Sequence, residues 1–123
     1  MLEPDGGLAG GPLHAALANE IGRLVADFTG RGATKSRAFV YQDVVVCLLE
    51  DGATKAERSL AAVGREELVR AQRDVLHRAM ETQLVACVER LTTRTVRNFL
   101  SGISTRGDST VEVFVLEPVS STT

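Results

Sequence analysis

The chain has 123 residues, of which 44% are hydrophobic, 24% are charged and 4% are aromatic. This length and composition predict one domain that buries an aliphatic core without metal ions or disulfides to hold it together. The formal net charge of −2 gives no overall attraction to nucleic acid or to an anionic membrane, so we do not expect a nucleic-acid partner.

The N-terminal residues 1–12 hold four of the eleven glycines and two of the three prolines. We therefore expect a disordered arm over 1–12, a single domain over 13–118 and a flexible tail over 119–123. The arm lacks the basic and apolar segments of a signal peptide. No run approaches the roughly 18 consecutive apolar residues of a membrane span, which predicts a cytoplasmic protein with no direct membrane insertion.

A helix is predicted over residues 13–29 because apolar residues recur there at helical spacing. The stripe consists of Leu13, Leu17, Ile21, Leu24, Val25 and Phe28, and it places Phe28 in the core. Gly30 is a natural C-terminal cap.

The loop after this helix is the candidate site. Two glycines would let its backbone approach another group closely, and nearby side chains could offer donors to an anion. The candidate residues are Arg31, Gly32, Thr34, Lys35 and Arg37. The loop matches neither phosphate-binding fingerprint and follows a helix instead of a strand. The alternative interpretation is a helix stop with a tight connection into a strand.

Residues 36–41 and 44–49 predict a hairpin with a two-residue turn at Gln42 and Asp43. The second segment, Val-Val-Val-Cys-Leu-Leu, is apolar without alternation, which indicates a strand covered on both faces. Since a domain of this size has helices for one face only, we expect a second subunit on the other. The sequence thus predicts a homodimer.

Thr54 and Glu57 form a capping box, which predicts a short helix from Thr54 to about residue 62. Val63 and Gly64 end it, and a long helix follows over 65–91. His77 lies among charged residues, one position from the apolar stripe, and has no metal-ligand spacing, so we interpret it as a surface histidine.

Residues 95–103 fit a helical spacing, but a turn-forming Arg-Gly-Asp cluster and the alternating segment 111–116 follow them. A second hairpin is therefore favoured. Together the elements predict an α+β fold in the order α-β-β-α-α-β-β. Its sheet would be four-stranded and mostly antiparallel, with three helices on one face.

No combination of residues predicts catalysis. Cys47 and Cys87 lie in apolar patterns and are expected to be buried free thiols, and the two histidines, His14 and His77, are isolated. We therefore expect no enzymatic activity, no cofactor and no metal.

Several ordered motifs resemble one bacterial family, the component C domain of a sodium-translocating, membrane-potential-generating system. They are Phe-Thr-Gly-Arg-Gly from Phe28, Lys-Ser-Arg-Ala from Lys35, Thr-Lys-Ala-Glu-Arg from Thr54, Arg73, Val-Glu-Arg-Leu-Thr from Val88 and Val-Glu-Val-Phe-Val-Leu from Val111. The resemblance spans about residues 15–118. It implies a small cytoplasmic protein associated with cation or inorganic-carbon transport, and it implies no catalytic mechanism.

The family pattern has proline after the second loop glycine, leucine before the capping threonine and glycine after the threonine that follows the long helix. This chain has Ala33, Ala53 and Thr93 at those positions.

Two functional hypotheses follow from these features. The first is a non-enzymatic, homodimeric interaction or regulatory module that binds a membrane transport protein. The alternative is a module that binds a small anion, a nucleotide or nucleic acid through the basic loop at residues 30–37; its binding would fall steeply with salt.

Overall fold

The computed structural model describes residues 10–30, 35–104 and 106–119. These residues form an α+β fold with the predicted order of elements. The elements are α1 (Gly10–Thr29), β1 (Lys35–Tyr41), β2 (Val44–Glu50), α2 (Lys55–Ala62), α3 (Glu66–Thr92), β3 (Val96–Ser104) and β4 (Ser109–Leu116). The prediction of a strand after the long helix is confirmed.

The four strands form one sheet in the order β1-β2-β4-β3, and every neighbouring pair is antiparallel. Each hairpin supplies one central and one edge strand, so β2 and β4 pair in the middle. The first hairpin turns at Gln42 and Asp43 as predicted, with Tyr41 opposite Val44. Gln42 adopts a left-handed φ of 53°, which short hairpin loops commonly require.

Strict alternation of burial along the two central strands separates the sheet into an inner and an outer face. On β2, Val45, Cys47 and Leu49 are buried, whereas the residues between them are half-buried. The inner face carries the core, which includes Phe114 and Leu116 of β4. Helices α1 and α3 cover this face. The chain by itself therefore provides a helical layer for one face only.

Helix α1 begins at Gly10, three residues before the predicted start, so residues 10–12 belong to the helix and not to the predicted arm. Residues 1–9 of that arm and 120–123 of the predicted tail lie outside the described residues. Phe28 was predicted in the core but is 40% exposed. The buried stripe repeats every four residues through Leu17, Ile21 and Val25, and this spacing leads to position 29 instead of 28.

The predicted capping box at the start of α2 is confirmed. The Thr54 hydroxyl accepts a hydrogen bond from the Glu57 amide at 3.1 Å, and the Glu57 carboxylate accepts one from the Thr54 amide at 2.8 Å. Gly64 follows with a φ of 80°, as the predicted helix end requires. Helix α3 then extends for 27 residues across the inner face.

Candidate functional site

Four polar side chains lie on the inner side of the fold, where apolar residues would be expected. Arg73 and His77 are one turn apart on α3, and Thr110 and Glu112 are two residues apart on β4. All four are between 0% and 4% exposed. Residues four apart on a helix and two apart on a strand point the same way, so the four side chains form two adjacent pairs between helix and sheet.

The first pair is fully hydrogen-bonded. The Arg73 guanidinium donates to both oxygens of Glu57 in a bidentate arrangement, at 2.7 and 2.9 Å, and to the Thr110 hydroxyl at 3.3 Å. Bidentate arginine–carboxylate pairs are among the strongest charge-assisted contacts. We call Glu57, Arg73 and Thr110 the arginine cluster.

The Glu57 carboxylate also belongs to the capping box of α2. Burial alone would raise its pKa, but the hydrogen bonds from Arg73 and from the Thr54 amide outweigh burial and hold the pKa below its usual value. The folded state therefore favours the ionised carboxylate. Its contribution to stability is present above the pKa of the unfolded chain and is lost as the pH falls through the lowered pKa of the folded chain.

The second pair is His77 and Glu112, where imidazole Nδ1 contacts carboxylate Oε1. Ser101 on β3 lies opposite Glu112 on β4. Its hydroxyl is 3.3 Å from the same Nδ1. We call these three residues the histidine cluster. Both contacts use one ring nitrogen, so the imidazole does not bridge the hydroxyl and the carboxylate as a Ser-His-acid relay requires.

The histidine cluster is not fully satisfied. Within the described part of the chain, no protein group pairs with Nε2 of His77 or with Oε2 of Glu112, although both atoms are buried. A buried polar group without a partner costs about 1–3 kcal/mol. The prediction of a surface histidine is wrong, because His77 is 2% exposed and lies in register with the buried stripe of α3.

A pocket of about 310 Å³ opens beside the histidine cluster, between α3 and β3. Its lining combines four α3 residues with two from β3, namely Asp74, His77, Arg78, Glu81, Phe99 and Ser101. A second pocket, of about 210 Å³, lies beside the arginine cluster. It is lined by Ala53, Glu57, Arg58, Ala61, Val69, Arg73, Ile103 and Asp108.

The middle of the outer sheet face is apolar across all four strands, whereas its last row is polar and consists of Lys35, Glu50, Ser109 and Ser104. Its middle row reads Phe39, Val46, Val113 and Leu100 from one edge to the other. Valine and leucine residues of β2 and β4 continue it on both sides, and Tyr41 stands at one edge. Phe39, Leu100 and Tyr41 are 52%, 51% and 74% exposed. A contiguous apolar surface of this kind is typical of an interaction site.

A family model described as "Na+-translocating membrane potential-generating system (MpsC)" matches residues 10–118. The chain belongs to this family. The match confirms the resemblance seen in the sequence motifs, and it associates the chain with a membrane-potential-generating Na+ system. No curated protein and no solved structure matches the chain significantly.

The motifs of the MpsC resemblance include parts of both clusters. Glu57 belongs to the motif around the α2 cap, Arg73 is itself one of the matching residues, and Glu112 lies in the β4 motif. None of the helices in the described ranges is long and apolar enough to cross a bilayer.

Only part of the predicted basic loop lies in the described part of the chain. Arg31, Gly32 and Thr34 fall outside it. Lys35 is exposed at the start of β1, and Arg37 forms an exposed ion pair with Glu50 across the hairpin at 3.0 Å. Anion binding by the loop therefore stays a prediction.

Both cysteines of the chain are buried and free, as the sequence predicted. Burial, together with a nearby carboxylate, Glu112 for Cys47 and Glu20 for Cys87, raises the pKa of each thiol to about 12. A thiol with so high a pKa is a poor nucleophile at neutral pH. His14, the other histidine, accepts a hydrogen bond from the Val40 amide at 3.1 Å through Nε2.

Proposed function

We propose that this MpsC-family chain is a cytoplasmic, non-enzymatic interaction module. It forms a homodimer through the outer sheet face and acts as a regulatory component of a Na+-translocating, membrane-potential-generating system. The open apolar face of the sheet is the observation that supports the proposal most directly, and family membership supplies the physiological setting.

The chemistry of the outer face favours a second copy of the chain as its occupant. Its middle row has no charged residue, and Arg37, the charged residue of the neighbouring row on β1, is paired with Glu50. An apolar sheet face can meet an identical face about a two-fold axis, with the same side chains on both sides of the contact.

The size of the face sets the extent of the interface. With strands about 4.8 Å apart and a rise of about 3.3 Å per residue, four strands of seven residues cover roughly 19 by 23 Å. That is roughly half of the approximately 800 Å² that each partner contributes to a standard interface. The side chains of Phe39 and Tyr41, which protrude from the edge strand β1, should therefore add contact area beyond that of the sheet itself.

The non-enzymatic part of the proposal is supported by the state of the reactive side chains. Both thiols have a raised pKa, His14 accepts from a backbone amide, and His77 makes its contacts through a single nitrogen. None of these arrangements presents an activated nucleophile beside a base.

Light scattering coupled to size-exclusion chromatography tests the dimer. We expect a mass near twice 13.2 kDa at both low and high salt, because apolar contacts are not screened. Val113→Asp places a charge in the middle row and should yield a folded monomer. Val75→Asp is the matched control, since Val75 is an exposed valine on α3, and it should remain dimeric.

A monomeric wild-type chain, or a dimer that survives Val113→Asp, would contradict the proposed interface. The physiological role is tested in cells that lack the protein, with membrane potential measured by a voltage-sensitive dye under sodium load. The wild-type gene should restore the potential and Val113→Asp should restore less. Full restoration by the monomeric variant would overturn the functional role of the dimer.

A further inference from the structure

The sheet has two edge strands, and the first of them, β1, is covered by the chain itself. The Val40 amide donates to Nε2 of His14 at 3.1 Å, and Ala38 is only 4% exposed. Helix α1 passes so close to β1 that a Cβ on Gly22 would lie 2.8 Å from the Ser36 hydroxyl. The middle of this edge is therefore already occupied.

The second edge strand, β3, is protected in its first half. The Glu89 carboxylate accepts a hydrogen bond from the Val96 amide at 2.9 Å, and the Asn98 side chain accepts one from the Phe99 amide at 2.9 Å. A shift of register also interrupts the pairing with β4 between Val96 and Asn98. Features of this kind prevent an edge strand from pairing with another chain, and they end at Phe99.

The second half of β3 has outward backbone groups without such protection. The Phe99 amide donates to a side chain and not to β4, so its backbone faces away from the sheet. Backbone direction alternates along an antiparallel strand, and Ser101 and Ile103 therefore face outward as well. Within the described ranges, no group pairs with the amides of these two residues. This part of the edge can accept another strand.

The two pockets described above open along the same half of β3. Ser101 lines the pocket of about 310 Å³ and Ile103 lines the pocket of about 210 Å³. Both side chains point to the inner face, because they lie opposite the buried residues Glu112 and Thr110. A strand beside β3 would place same-face side chains about 6.6 Å apart, one next to Ser101 and one next to Ile103. We call residues 99–103 with both pockets the edge groove.

The pocket beside Ile103 suits an apolar side chain. Its polar groups are engaged within the chain, since Arg73 is paired with Glu57, Asp108 accepts from the Ala53 amide and Arg58 donates to the Ala53 carbonyl. An apolar cavity of about 150 Å³ holds benzene, so this pocket can take a leucine side chain. Its apolar walls are Ala53, Ala61, Val69 and Ile103.

The pocket beside Ser101 suits a basic side chain. Its lining includes two carboxylates, Asp74 and Glu81, and one guanidinium, Arg78. None of the three forms an ion pair with another described residue, and Arg78 donates to the backbone carbonyl of Asp74 at 3.4 Å. Because the carboxylates outnumber the guanidinium, a cationic side chain of a partner complements the lining.

We propose that the edge groove binds an extended segment of a partner protein, which adds to β3 as an antiparallel strand. A leucine of the segment lies opposite Ile103 and a lysine lies opposite Ser101. Since the added strand runs against β3, the leucine comes first and the motif is Leu-x-Lys. Backbone hydrogen bonds supply affinity and the two pockets select the side chains. The groove lies at the edge and on the helix side, so the inference does not rest on the proposed homodimer.

A capped nine-residue peptide with Leu-Thr-Lys at its centre tests the motif. Its titration into the full-length chain is followed by the backbone amide signals of Ser101 and Ile103, and we expect saturable shifts. The reversed order, Lys-Thr-Leu, and the replacement of lysine by glutamate should each weaken binding about tenfold. No binding of the parent peptide, or equal or tighter binding of either altered peptide, would overturn the proposed motif.

Two N-methylated peptides test the strand addition itself. Residues directly opposite each other in such a pair exchange both backbone hydrogen bonds, whereas the amide between them points away. N-methylation of the leucine amide should therefore weaken binding about tenfold, the effect of one net hydrogen bond. N-methylation of the central threonine should leave binding unchanged. Equal effects of the two methyl groups would contradict an added strand.

A matched pair of variants on α2 tests the apolar pocket. Ala61 lines it, whereas the exposed Ala62 beside it does not. Ala61→Leu should fill the pocket and weaken peptide binding about tenfold, the effect of displacing a few buried methylene groups, and Ala62→Leu should bind as the wild type does. Unchanged binding by a folded Ala61→Leu variant would show that the leucine lies elsewhere.

The groove and the homodimer can be tested separately. The variant Val113→Asp, which should be monomeric, is expected to bind the peptide as the wild type does, so a failure of the dimer leaves the groove intact. Light scattering at saturating peptide should give the same mass as without peptide. Dissociation of a dimer by the peptide would show that a second copy of the chain occupies the groove, and it would overturn the proposed partner.

Discussion

The arginine and histidine clusters lie one helical turn apart between α3 and β4, yet they satisfy their charges differently. Arg73 spreads its donors over Glu57 and Thr110, and Glu57 in turn accepts from the cap of α2. Glu112 depends on the single imidazole of His77. The first arrangement connects three elements of the fold, whereas the second leaves Nε2 of His77 and Oε2 of Glu112 without a partner among the described residues. The two clusters therefore differ in how completely their buried polar atoms are satisfied.

The largest expected effect comes from breaking the arginine cluster. Arg73→Met leaves the Glu57 carboxylate buried without its counter-charge, which should lower the free energy of unfolding by about 3–5 kcal/mol. Urea denaturation followed by circular dichroism measures it. Arg70→Met on the exposed side of α3 is the control and should change stability by less than about 0.5 kcal/mol. Equal losses of unfolding free energy in the two variants would show that Arg73 has no special structural role.

The histidine cluster should respond differently to one substitution and to two. His77→Leu alone leaves Glu112 buried without its partner and should cost about 3 kcal/mol. Adding Glu112→Leu should restore stability to within about 1 kcal/mol of the wild type, because a buried pair can be replaced by apolar residues with little loss. The measurement is a double-mutant cycle by urea denaturation. Additive losses would show that the two side chains are not coupled in the folded state.

The smallest effect tests the connection between the arginine cluster and α2. Thr54→Ala removes the hydroxyl that caps the helix and should cost about 1 kcal/mol, whereas Thr54→Ser keeps it and should be nearly neutral. Thermal unfolding compares the two variants. If serine lost as much stability as alanine, the methyl group of Thr54 and not its hydroxyl would hold the start of α2.

Most of the fold could be predicted from local signals. The capping box at Thr54, the glycines that follow α1 and α2, and the two-residue turn after Tyr41 act within a few residues, and all of them appear in the structure. The order of the strands in the sheet depends on contacts distant in sequence, so no local pattern specified it.

The histidine cluster was missed although the sequence contained a signal for it. Val69, Arg73, His77, Met80 and Leu84 recur at spacings of four, four, three and four, which is one face of a helix. Counting only the apolar residues of α3 placed His77 one position off the stripe. Glu112 likewise shares the register of Phe114 and Leu116 on β4. The available signal was a polar residue at a core position of both α3 and β4.

The open sheet face was anticipated from one unbroken apolar run. The structure shows that the run reflects two different surroundings, since Val45, Cys47 and Leu49 enter the core whereas the residues between them line the outer face. The apolar run predicts the outer face itself, whereas the homodimer that would cover it was inferred from the size of the domain, because a covering partner leaves no local pattern in the chain. The homodimer stays a prediction that light scattering can test.

The backbone at the end of α3 is strained, and a single substitution could relieve this strain. Thr93 takes a left-handed φ of 59°, a strain of about 1–3 kcal/mol for a residue other than glycine. Glycine adopts this conformation freely. Replacing Thr93 with glycine would therefore relieve this strain and raise the thermal stability of the chain. The position lies apart from both the pocket and the outer face.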